Sequence, residues 1–243
     1  MKKTLALFTL LLFVGRLWSQ ESTPASPNIT VKWAPTGMVL GNISVQGEYN
    51  FGGRNSLTAK IGLPVSAHHS FTYDDKDANF NFKATSFLAG YRTYLSKKHL
   101  QGLYYEPYFK YVHHTSEGTG SGALSSRKAV FNFTNDYNGV GLGFQLGAQF
   151  LIGKHVVVDL FFLGPEINSA SNTFKAIEVS NTIPWTDADM KDVEIQIREF
   201  INQFPFIRNR TSVMVDRENK LVVADFKGAI PGIRTGISIG FAF

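Results

Sequence analysis

The sequence predicts an all-β protein, an antiparallel transmembrane barrel of about eight strands carrying a long helix-plus-hairpin extracellular insertion. Three observations lead there. Apolar residues alternate with polar or small ones in segment after segment, short and long connections between those segments alternate, and no stretch after residue 20 is an apolar run long enough for a membrane helix.

The N-terminus reads as an export signal. Met1, Lys2 and Lys3 precede an apolar run over 5–14, and small residues around Ser19 offer cleavage after Ser19 or Gln20. The run falls short of the ~20 residues that span a bilayer, so it predicts a secretory signal over 1–20 and a mature barrel domain over 21–243. The chain has no cysteine, which excludes disulfides, thiolate metal sites, a cysteine nucleophile and a lipoprotein anchor.

Seven clear strands follow. Over 42–51, Ile43, Val45, Tyr49 and Phe51 share one face and Asn42, Ser44, Gln46, Glu48 and Asn50 the other. The same alternation runs through 57–63, 87–95, 103–111, 140–150, 156–162 and 233–243. Short connections at 52–55, 96–101 and 152–154 alternate with long ones at 64–79, 113–127 and 168–229, as periplasmic turns and extracellular loops do. That alternation requires an eighth, upward strand before Met38, and 28–33 supplies it with Ile29, Val31 and Trp33. Tyr49, Phe51, Tyr105, Phe150, Phe241 and Phe243 fall near the periplasmic ends of outward faces, as an aromatic girdle would. A soluble antiparallel barrel alternates too, but it would have to bury the charged, glycine-rich face seen on strand after strand.

Charge gives no sign of a nucleic-acid partner. Of 24 basic residues, Lys2, Lys3 and Arg16 belong to the signal, leaving 21 against 19 acidic ones, with no basic patch interleaved with aromatics.

The stretches "GNISVQGEYNF", "GLYYEPYFKY", "FLIGKHVVVDLFFLGPEIN" and "PGIRTGISIGFAF" resemble a family of small outer-membrane barrels carried as a domain of unknown function, within the wider outer-membrane β-barrel group. The resemblance covers nearly the whole mature chain. It implies an eight-stranded barrel in the outer membrane of a Gram-negative bacterium, and it brings no catalytic residues.

Strand parity aims Glu48, Lys60, Arg92, Glu106, Lys110, Asp159 and Arg234 into the lumen. An eight-stranded barrel is just wide enough for side chains to fill it, so these four cations and three carboxylates predict a packed polar core, not a pore or an acid/base site. His68 with His69 and His113 with His114 lie beyond upward strands and are the candidate metal ligands, but no further ligand stands at a specific spacing, and the expectation is solvated loop histidines with no metal and no cofactor. No G-x-S-x-G or comparable arrangement points to an enzyme. Gly139, Gly141, Gly143 and Gly147 lie within one strand, so they read as room for bulky neighbours and not as a phosphate loop. Phe241 and Phe243 mark the terminal strand as the assembly signal read by the barrel-assembly machinery.

The 168–229 insertion predicts a helix in which Met190, Val193, Ile197, Phe200, Ile201 and Phe204 share an apolar face, capped by Thr186 and Asp189 and ended by Pro205. A hairpin over 212–216 and 221–226 follows it; the alternative is that it adds two strands to the barrel, giving about ten, but its first arm is shorter than the ~9 to 11 residues of a spanning strand. An apolar helix face must pack on something, which makes the segment a cap or plug and the surface for an extracellular or envelope partner. The function expected is therefore that of a monomeric barrel embedded in outer-membrane lipid, with a structural or recognition role. The rivals are an outer-membrane lipid-modifying enzyme and a soluble, lipocalin-like periplasmic ligand carrier.

Overall fold

A computed structural model describes residues 27–73, 76–125, 127–153 and 155–243. The export signal expected over 1–20 lies outside them. Ten strands appear in the order β1 (Ile29–Ala34), β2 (Asn42–Asn50), β3 (Asn55–Pro64), β4 (Ala67–Tyr73), β5 (Lys76–Tyr94), β6 (Gly102–Leu124), β7 (Arg127–Ile152), β8 (Val156–Glu178), β9 (Thr211–Asp216) and β10 (Leu221–Ala242). A one-turn helix α1 (Thr36–Val39) joins β1 to β2, and α2 (Asp187–Asn202) lies between β8 and β9.

Eight strands close a ring in the order β1-β2-β3-β5-β6-β7-β8-β10, sealed where β10 pairs antiparallel with β1. Phe241 stands opposite Val31 in that seam, and the Phe243 carbonyl accepts from the backbone N–H groups of Asn28 and Ile29. Closure pairs the edges that an open sheet would expose. Outside the ring, β4 pairs with β5 and β9 with β10.

The alternation in sequence sorts side chains as physics requires of a barrel in hydrocarbon. Ile29, Val31, Trp33, Val45, Leu57, Ile61, Phe87, Leu142, Phe162 and Ile239 are all exposed on the outer face, whereas Lys32, Glu48, Arg92, Glu106 and Asp159 are buried inside. The six girdle aromatics are exposed near the short-turn end, with Tyr49 edge-on to Phe51 at 5.4 Å. Among the described residues no helix is long and apolar enough to cross a membrane.

At the short-turn end, Asn50 Oδ1 accepts from the N–H groups of Gly52 and Gly53 and fixes the β2–β3 turn, where Gly52 has φ +84°. Leu100 adopts φ +53° and is fully buried against Val157 and Ala242, stoppering that end of the lumen.

The other end is unlike the loops expected there. Instead of loops over 64–79 and 113–127, backbone pairing continues: β4 faces β5 from Ala67↔Phe82 to Tyr73↔Lys76, and β6 faces β7 out to Leu124↔Arg127. Ladder pairing satisfies backbone polar groups of these hairpins that a long loop would leave to water. Likewise β8 and β10 pair out to Ile177↔Leu221, so the part of 168–229 that leaves the ring is 179–220, and within it β9 returns to pair with β10. The result is a tall curved wall, β4-β5-β6-β7-β8-β10-β9, rising over a low rim at α1 between β1 and β2.

α2 sits in the hollow of that wall. Thr186 and Asp189 form the expected capping box, with Asp189 N–H donating to Thr186 Oγ1 at 3.1 Å and Thr186 N–H to Asp189 Oδ2 at 3.0 Å. Val193 packs with Trp185 on Phe131, Leu124 and Val222, while Met190 and Ile197 border the cluster. The predicted face is narrower than expected: Phe200 and Phe204 stack edge-on at 5.3 Å but are exposed at 58% and 44%. Ile201, between them in the stripe, is buried, so the packed face narrows at the C-terminal turn to that one side chain.

Candidate functional site

The lumen holds two polar layers, and all seven residues that parity aimed inward lie on its walls. The lower layer fills the short-turn half. Lys32 Nζ donates to Glu48 Oε2 at 2.9 Å, Gln149 Oε1 at 2.6 Å and Asp159 Oδ2 at 2.8 Å. Arg92 Nε donates to Glu106 Oε2 at 2.8 Å, and one terminal nitrogen reaches Asp159 at 2.9 Å and Glu48 at 3.3 Å. Its guanidinium also lies 3.7 Å from the Tyr104 ring centre. Tyr94 and Tyr104 donate their hydroxyls to Glu48 at 2.6 Å and to Asp159 at 2.7 Å, while Thr58 and Gln145 complete Glu106. Every carboxylate oxygen in this layer has a donor. Charges taken out of water are tolerable only under that condition.

Two glycines on the inner face of β7 make room for this packing. A methyl group at Gly147 would run into the Tyr104 ring and one at Gly143 into the Tyr108 ring.

The upper layer is looser. Lys110 is ion-paired to Glu166, which also accepts from the Tyr108 hydroxyl at 2.9 Å and from Asn168 Nδ2 at 3.2 Å. Arg234 donates to Gln145 Oε1 at 2.7 Å and rests 4.6 Å from the Phe161 ring centre. Lys60 Nζ lies 5.8 Å from that same ring centre.

Lys32 and Glu166 were missed by sequence reasoning, for different reasons. Lys32 was legible, since it alternates with Val31 and Trp33 on the short first strand. Glu166 was hidden by a bulge: β8 is out of step with β10 between Phe161 and Gly164, leaving Phe162 and Leu163 both outward-facing. Parity flips there, so Asp159 and Glu166, seven residues apart in the chain, point to the same side. The signal available was the doubled apolar pair ahead of Gly164 and Pro165.

The histidine pairs lie within strands, not on loops. His69 and His114 flank β5, and each ring lies about 5.5 Å from Phe82, at 5.4 and 5.5 Å respectively. Phe82 stands between them, while His113 reaches Asp136 at 3.3 Å on the opposite face of β6. Among the described residues no group of three or more His, Cys, Asp or Glu side chains comes together in a way that could hold a metal ion.

In the wall above, aromatic rings form a chain from the histidines to the cap. Phe82 stacks on Phe80, Phe80 on Phe133, Phe133 on Phe131, and Phe131 meets Trp185 at 6.5 Å. Glu178 anchors the cap from beneath. It takes two bonds from Arg127, at 2.5 and 3.0 Å, and others from Ser180 at 2.6 Å, Asn181 at 2.9 Å and Trp185 Nε1 at 2.5 Å. Burial by itself would raise the Glu178 carboxyl pKa, but the bonds from Arg127, Ser180 and Trp185 outweigh it and pull it down to about 2.

Among solved structures the chain is similar in fold to Acinetobacter baumannii CarO. The TM-score is 0.40 at 10% identity, over 92% of this chain and 100% of that one. No family model and no curated protein matches the chain.

Proposed function

We propose that the chain is an integral outer-membrane protein of a Gram-negative bacterium, with a structural or recognition role and no through-going pore. The short turns face the periplasm and the tall wall with its cap faces the outside. The observation that carries this reading is the inversion of polarity across the ring. Apolar side chains cover the outside of every ring strand, while Lys32, Glu48, Arg92, Glu106 and Asp159 are 3% exposed or less within it. A soluble carrier would present that arrangement inside out.

The sealed lower layer favours a role for surfaces over a role for passage. The cap supports recognition, since Phe200, Phe204 and Phe206 stand exposed at and beyond the C-terminal end of α2, Phe206 near Ile167 and Pro231, and Ile183 is 70% exposed ahead of its N-terminus. The outer-membrane motifs quoted above support the location, and the β10–β1 seam supports Phe241 and Phe243 as the segment handled by the assembly machinery.

The test is fractionation of cells expressing the chain, gel mobility before and after boiling, and conductance in planar bilayers. We expect outer-membrane fractionation, a heat-dependent mobility shift and no steady channel. Release without detergent would overturn the location, and a large steady conductance would overturn the sealed lumen.

A further inference from the structure

The two lumen layers differ in charge. Below, Lys32 and Arg92 meet Glu48, Glu106 and Asp159, so carboxylates exceed cations by one. Above, Lys60, Lys110 and Arg234 meet Glu166, so cations exceed carboxylates by two. The excess lines a cavity of about 330 Å³ beneath the low rim at α1, where Gly37 and Leu40 form its edge. Its floor and wall combine Lys60, Lys110, Arg234 and Glu166 with the apolar surfaces of Phe161 and Leu88. That volume lies at the small end of the ~300–1,000 Å³ range of small-molecule sites.

Lys60 decides what the cavity prefers. Glu166 is already engaged by Lys110, Tyr108 and Asn168, and Arg234 is held by Gln145 and Phe161. Lys60 makes no hydrogen bond or ion pair with any described residue, and its sole ring contact is with Phe161. Arg234 rests on that ring too, so two cations converge on one aromatic ring, and the carboxylates whose charge reaches Lys60, those of Asp159 and Glu106, belong to the layer below and are already bonded there. Like charges held together in a half-buried site are unfavourable, and an incoming anion relieves both. Phe161, 3% exposed, and Leu88, 5% exposed, provide an apolar wall against which a hydrocarbon body can lie.

We propose that this cavity is a binding site for a small organic carboxylate, its anionic head between Lys60 and Arg234 and its apolar body against Phe161 and Leu88. The site needs the folded barrel but not the recognition role assigned to the cap, and the heat-dependent mobility shift reports the barrel separately.

The experiment uses the full mature chain refolded in detergent, with benzoate, its neutral isostere benzamide and inorganic phosphate as titrants in calorimetry. Benzoate is expected to bind with one-to-one saturation, and benzamide and phosphate at least tenfold more weakly. Lys60→Met should weaken benzoate about tenfold or more, the equivalent of ~1.4 kcal/mol. It should also raise the temperature of the mobility shift, because it removes from a half-buried position a cation that makes no ion pair and stands near Arg234. Lys60→Arg should keep binding within about threefold, since a charge-assisted bond survives, and Lys175→Met on the outer face of the wall should change nothing. Equal affinity for benzamide, or unchanged benzoate affinity in folded Lys60→Met, overturns the site. Phosphate binding as tightly as benzoate overturns the apolar wall as a determinant. Should Lys60→Met fail to fold, Arg234→Met carries the same expectation and the same refutation for benzoate affinity.

Discussion

Acid should open the cap while leaving the barrel shut. Glu178 is 2% exposed and its carboxyl is pulled from an ordinary 4.5 to about 2 by Arg127, Ser180 and Trp185, against the opposing effect of burial. Because the folded value is the lower one, its contribution is complete above pH 4.5 and is lost as pH falls toward 2. Arg127 stands on β7 of the wall and stays beside Glu178 when the cap lifts, so only the share of the depression owed to Ser180 and Trp185 is tied to closure, on the order of 1 kcal/mol. That is roughly a fivefold rise in its opening constant. Trp185 is the reporter: it is fully buried, donates to Glu178 and lies against Phe131. The chain has three tryptophans, Trp18, the outward-facing Trp33 and Trp185, so Trp33→Phe leaves one indole in protein refolded from residues 21–243. Acrylamide quenching of that indole should rise between pH 4.5 and 2 while the boiled and unboiled gel mobilities stay distinct. Glu178→Gln should give raised quenching at neutral pH and most of the acid step should vanish. The remainder belongs to Asp189, whose carboxyl is lowered by Thr186 in spite of burial, and Asp189→Asn isolates it. Quenching that stays flat in the parent protein down to pH 2, or an acid step that survives Glu178→Gln undiminished, would refute the reasoning.

The remaining predictions concern the ring. Arg92→Ala leaves Glu48, Glu106 and Asp159 short of donors inside the lumen, and should destabilise the barrel by about 3–5 kcal/mol, read as a lower mobility-shift temperature without new conductance. Glu106→Ala should act in the same direction through the stranded Arg92. Replacing both Phe241 and Phe243 with aspartate puts charge on the outward face of the closing strand and should sharply reduce heat-modifiable protein in the outer membrane; normal amounts would contradict the seam as the assembly element. Replacing 179–220 with a four-residue turn should leave the barrel heat-modifiable, because Ile177 and Leu221 already pair across β8 and β10. Failure of that variant to fold would make the cap part of the barrel's core.

Particular residues show how far the sequence reached. Alternation such as Ile43, Val45 and Tyr49 against Ser44, Gln46 and Glu48 is a property of one strand, and it survives intact into the ring because a strand has a fixed period of two. Connection lengths fixed strand directions, which required β1 and identified its residues. The capping box at Thr186 and Asp189 was equally legible, being local chemistry over four positions. Three features came only with tertiary structure. The long segments 64–79 and 113–127 become paired walls because each strand found a neighbour, and pairing depends on another part of the chain. The β8 bulge brings Glu166 to Lys110 because register is negotiated across three strands at once, beyond what parity along one can reveal. The division of the lumen into a fully bonded, carboxylate-rich layer and a cation-rich one was likewise beyond the pattern: parity says which side chains face inward, but ring closure and stagger decide which of them meet.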